Sequence, residues 1–146
     1  MKQPGAIIVL FIFVAAVSWG LASEQYNSLR RLKANLTGAA EVPGPGDSDG
    51  TGKASLTLSA GKNQICYELA VSNIGTATAA HIHAGDATVA GPVLVMLTPP
   101  ANGSAKECAT LEREKILDMI KNPGGYYVNV HNAEFPDGAV RGQLSK

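Results

Sequence analysis

Histidine is scarce in this chain, with three in 146 residues. Cysteine is scarcer at two, and tryptophan occurs once. No charge excess exists, because twelve basic residues face twelve acidic ones. That balance removes the electrostatic argument for nucleic acid or an anionic membrane surface, and no basic stripe interleaved with aromatics occurs. Also missing are a Gly-x-Ser-x-Gly elbow, a phosphate loop and a dinucleotide-binding glycine pattern, which leaves hydrolase and nucleotide chemistry without a recognisable motif. Aromatics are few, and Phe11, Phe13 and Trp19 all fall near the N-terminus. The remainder is rich in Gly, Ala, Val and Leu, with Gly and Pro between short apolar runs. That texture predicts one all-β domain, a Greek-key-like sandwich or barrel.

The N-terminus carries Lys2, an apolar run from Ala6 to Trp19 broken only by Ser18, and then Gly20-Leu21-Ala22. This is the three-part pattern of a secretory signal, with cleavage expected after Ala22. An uncleaved membrane anchor over 1–22 is the alternative, the run being slightly short for a span of ~20 residues. Both place the domain outside the cytoplasm, periplasmic or secreted. No cysteine follows the run, which excludes a lipoprotein anchor. Cys66 and Cys108, an even pair in an exported domain, read as one disulfide. A thiolate metal pair is the competing reading, against which stands the lack of Cys-x-x-Cys spacing.

Alternation of apolar and polar residues predicts about eight strands, at 32–37, 53–58, 64–72, around 79–85, 92–97, 104–111, 126–131 and 139–144. The run 92–97 is apolar throughout and reads as a buried strand. One helix is expected at 112–121, with Ile116, Leu117 and Ile120 as its apolar face and Asn122-Pro123-Gly124-Gly125 as its stop. Gly44 to Gly50 reads as a turn, since it lacks the far ligand a calcium loop requires.

Two of the three histidines stand in Ala79-Ala80-His81-Ile82-His83-Ala84-Gly85. A strand repeats every two residues, so His81 and His83 share a face. The third closes Tyr126-Tyr127-Val128-Asn129-Val130-His131, where Tyr127, Asn129 and His131 share one face. If the two strands are neighbours, three imidazoles converge into a metal site. Otherwise they are three unrelated surface or turn histidines. Three imidazoles suit copper, zinc or nickel. An oxidising compartment without thiolate ligands makes copper the first choice and zinc the second. Asn129 and Glu41 are the candidates to orient an imidazole from behind.

Taken in order, Leu36-x-Gly38, Glu41-Val42-Pro43, Ala79-Ala80-His81-Ile82-His83-x-Gly85, Gly91-Pro92-Val93, Tyr127-Val128-Asn129-Val130-His131-Asn132 and Pro136-x-Gly138-x-x-Arg141-Gly142-Gln143 resemble the CHRD domain. The family takes its name from chordin, and the chain looks like a short exported bacterial member, with its domain over 32–146. The resemblance implies an extracellular β module associated with protein binding. A narrower resemblance, confined to the histidine strands, is to copper–zinc superoxide dismutase. It implies a copper-only site of His81, His83 and His131, with Arg141 as an anion guide. If there is turnover, it implies a copper-only dismutase. A fourth, bridging histidine is missing, which rules out a bimetallic site. Two functions are therefore expected to compete. One is a mononuclear copper site for copper handling or superoxide chemistry. The other is a protein-binding module outside the cell or at the membrane, such as an accessory subunit of a membrane complex, touching lipid only through residues 1–22.

Overall fold

The computed structural model describes residues 29–146. The expected signal or anchor segment over 1–22, with its expected cleavage point, lies outside them. Eight strands follow in order: β1 (Arg30–Thr37), β2 (Thr51–Ser59), β3 (Gln64–Ser72), β4 (Ala77–Ala84), β5 (Val93–Leu97), β6 (Ser104–Thr110), β7 (Tyr126–Asn132) and β8 (Val140–Gln143). Between β6 and β7 runs the helix α1 (Arg113–Lys121). All ladders are antiparallel, in the order β5-β4-β7-β8-β1-β2-β3-β6. The two ends of that order, β5 and β6, come back into contact, so the sheet is a nearly closed barrel. Among the described residues no helix is long and apolar enough to cross a membrane.

Period-two alternation builds the inside. Leu32, Ala34 and Leu36 of β1, Leu56 and Leu58 of β2, and Ile65, Tyr67 and Leu69 of β3 all point into the core. The hairpin between β2 and β3 pairs Ser59 with Gln64. It turns on Asn63, whose φ of 53° is a left-handed conformation that Asn tolerates. Cys66 and Cys108 stand directly opposite each other on β3 and β6 and form a disulfide.

One expectation needed completing and one correcting. On α1, Ile116 is buried and Leu117 and Ile120 pack half-buried against the core as expected, and Met119 is a further deeply buried residue. The helix lies on the turn after β2, and that contact selects the 116/119 stripe. The strand β5 is not buried throughout. Val95 and Leu97 face the core, but Val93 and Met96 are exposed. As the end of the hydrogen-bonded order, β5 has one face on the core and one on solvent, so an unbroken apolar run still alternates in burial.

Candidate metal centre

The register fixes which side chains meet. Across β4 and β7, Ala79 pairs with His131, His81 with Asn129 and His83 with Tyr127. Directly paired residues share a face, so all three histidines stand on the outer surface of the barrel. Across β7 and β8, Asn129 pairs with Arg141 and Tyr127 with Gln143, which extends the same surface.

The ring nitrogens of His81, His83 and His131 lie within 4.8 Å of one another. His81 Nδ1 is 3.1 Å from His131 Nε2. Nitrogens bound at about 2.0–2.1 Å to one tetrahedral ion stand about 3.3 Å apart, so this pair already has ligand spacing. His83 completes the set, within 4.8 Å of the other two.

Two backbone carbonyls orient the rings. His83 Nδ1 is 2.8 Å from the Gly91 oxygen, and His131 Nδ1 is 2.9 Å from the Pro136 oxygen. A carbonyl only accepts, so both rings carry their proton on Nδ1 and keep a lone pair on Nε2. Without metal His131 Nε2 then accepts from His81 Nδ1, and His81 ligates through Nδ1 only in the tautomer that carries its proton on Nε2. His83 Nε2 is buried with no hydrogen-bond partner. A buried lone pair without a donor is costly, and a metal ion at the centre of the three rings would satisfy it.

Burial is the first cause that holds both His81 and His131 below the usual histidine range. For His81 the neighbouring imidazoles of His131 and His83 add to it, while Asn129 opposes. Both rings are therefore neutral and able to ligate at neutral pH. Asn129 faces His81 closely enough to favour its charged form, yet its Oδ1 is buried without a hydrogen-bond donor.

The loop after β4 is clasped from below. Arg141, 1% exposed, donates to the carbonyls of Val89 at 3.0 Å and Asp86 at 2.6 Å and to Gln143 Oε1 at 3.1 Å. Its guanidinium lies 3.4 Å from the centroid of the Tyr127 ring. Tyr127 in turn stacks on His83, with centroids 4.7 Å apart and planes 5° from parallel. Gln143 Nε2 donates to the carbonyls of Gly85, Gly124 and Tyr126. Gly91 must be glycine here, because a Cβ would stand 1.7 Å from the Ala84 oxygen. That close approach presents the Gly91 carbonyl to His83 and its N–H to the Tyr127 hydroxyl.

These contacts change two expected roles. Arg141 is too buried to meet an arriving anion: it donates to the Val89 and Asp86 carbonyls and to Gln143, and its guanidinium lies over Tyr127, the ring that stacks on His83. The orienting contacts on the rings come from Gly91 and Pro136, not from Glu41. The Glu41 carboxyl instead packs where a Gly138 side chain would be. It feels the Arg141 charge, while burial pushes it up to about 7. Sequence reasoning missed the two carbonyls, since a backbone oxygen has no residue signature; Gly91-Pro92 and Pro136 were the visible traces. A separate open groove of about 910 Å³ lies over β1, β2, β3 and β6, lined among others by Lys33, Thr57, Glu68 and Lys106, with none of the histidines in its lining.

Comparison with known proteins gives one result: the family model of the CHRD domain matches residues 32–144. No curated protein and no solved structure matches the chain.

Proposed function

The chain belongs to the CHRD domain family, an extracellular type of domain, and we propose that His81, His83 and His131 hold one metal ion there, copper first and zinc second, for copper handling outside the cytoplasm. The observation that carries this reading is the convergence of three ring nitrogens around the orphaned, buried Nε2 of His83. The chain's own contribution is pre-organisation. Gly91 and Pro136 fix two tautomers, the Arg141–Tyr127 stack holds His83 in place, and burial keeps His81 and His131 unprotonated. Imidazole donors suit copper and zinc alike. Among the described residues both cysteines are in the disulfide and none is a free thiolate, which fits an oxidising compartment. Copper held by three imidazoles would supply one-electron chemistry beside an open position for a small ligand such as superoxide.

A second reading has its own observation. Val89, Val93 and Met96 are exposed apolar residues, on β5 and in the loop that precedes it. They suit a module that docks on a protein outside the cell or at a membrane, with residues 1–22 as leader or anchor.

The deciding experiment is elemental analysis of the protein isolated from its native compartment, alongside the H81A/H83A double variant. We expect about one copper per wild-type chain, as the single set of three histidines dictates, and none in the variant. No metal in the isolated protein and no uptake on titration would overturn the metal reading in favour of docking. A superoxide assay on loaded protein then separates dismutation from handling.

A further inference from the structure

Met96 stands directly opposite His81, on the other flank of β4 from Asn129. We infer that Met96 supplies a fourth, thioether ligand to the three-histidine site, which makes the site selective for Cu(I) over zinc. The inference rests on the metal reading above and specifies it.

The placement follows from the ladder. β5 pairs with β4 through Ala80–Leu97, His81–Met96 and Ile82–Val95, and a bulge then brings Val93 opposite His83. Leu97 and Val95 are in the core, as are their partners Ala80 and Ile82. Met96 therefore shares the outer face with His81. Cross-strand partners keep their Cβ atoms about 4.5–5.5 Å apart. The methionine side chain has three rotatable bonds and a terminal thioether, so it can reach over its neighbour. One row across the outer face thus reads Met96, His81, Asn129, Arg141.

An exposed methionine alone needs no explanation. This one is 68% exposed and is paired in register with a ring whose Nδ1 points at a second histidine. Thioether sulfur is a soft donor that prefers Cu(I), whereas imidazole serves Cu(I), Cu(II) and zinc. A set of three imidazoles and one thioether is a copper donor set. The sulfur comes from a solvent-facing side chain on a strand at the end of the ladder order. It can swing away without disturbing the core, so Met96 is the exchangeable arm through which Cu(I) enters and leaves. That suits a carrier of copper better than a permanent store.

The test uses the full chain and three proteins: wild type, Met96→Leu and H81A/H83A. Leucine keeps the apolar volume and removes the lone pairs, and at an exposed position it leaves the fold unchanged, which urea denaturation verifies. Cu(I) affinity is measured anaerobically against a chromogenic Cu(I) chelator and zinc affinity by a separate competition. X-ray absorption on the Cu(I)-loaded proteins reports sulfur in the first shell. Met96→Leu should weaken Cu(I) by about tenfold or more, leave zinc within about twofold, and lose the sulfur shell. Equal Cu(I) affinity in Met96→Leu and wild type, or no sulfur shell in wild type, overturns the Met96 role while leaving the histidine site standing. No Cu(I) uptake by wild type overturns the Met96 role, and Cu(I) binding by H81A/H83A as tight as wild type overturns the histidine reading and the Met96 role with it.

Discussion

Glu41 is a carboxyl that burial keeps protonated until the pH approaches about 7. Its residue is 6% exposed, its Oε1 has no hydrogen-bond partner, and the Arg141 charge only partly offsets the desolvation. The folded state therefore binds more protons than the unfolded chain between 4.5 and about 7. Stability from this group is fully present below the unfolded value and is lost as pH rises towards 7. Glu41→Gln mimics the protonated form. The variant should gain about 1–2 kcal/mol over wild type at pH 8, after discounting for solvent screening, and essentially nothing at about pH 4, below the unfolded value. Urea denaturation of both metal-free proteins at the two pH values checks this, and an equal difference at both would refute it. The sequence marked Glu41 only as a carboxylate near a proline. That it sits against Gly138, not against an imidazole, depends on two loops distant in sequence.

At the scale of elements, α1 is tied to the barrel by a side-chain pair as well as by Ile116 and Met119. The Tyr126 hydroxyl, at the start of β7, donates to Asp118 of α1, and burial followed by that bond pushes the phenol up to about 12. A hydrogen bond to a charged acceptor contributes about 1.5–3 kcal/mol when neither partner can turn to water. Asp118 is exposed, so water can replace the hydroxyl. Tyr126→Phe should accordingly lower stability by only about 1 kcal/mol, read as a shift in urea midpoint at constant slope. The existence of α1 was legible from the spacing of its apolar residues and from the Asn122-Pro123 stop. Its apolar face was legible at Ile116, Leu117 and Ile120, but the deep burial of Met119 was not, because the packing surface decides how far each apolar position sinks. The same limit applies to β5, whose apolar run concealed the outward placement of Met96.

For the whole molecule, the disulfide ties β6, at one end of the hydrogen-bonded order, to β3. Closing a loop with a sequence separation of 42 removes freedom from the unfolded chain. Reduction should therefore cost about 2–4 kcal/mol. Since β3 and β6 contribute no histidine, metal content should be unchanged on reduction under conditions where the protein stays folded. Thermal unfolding and metal analysis with and without reductant test both halves. By itself the sequence determined the all-β class, the strands and the faces on which His81, His83, Asn129 and His131 lie, because period-two alternation is a local property of the chain. Cys66 and Cys108, as the sole cysteines, could pair only with each other if they paired. Only the tertiary structure decided that β4 lies between β5 and β7, so that Met96, His81 and Asn129 fall in one row. It likewise decided that Arg141 is a buried clasp and that two carbonyls aim the imidazoles. Register, loop carbonyls and buried charge depend on residues far apart in sequence, and no local periodicity records them.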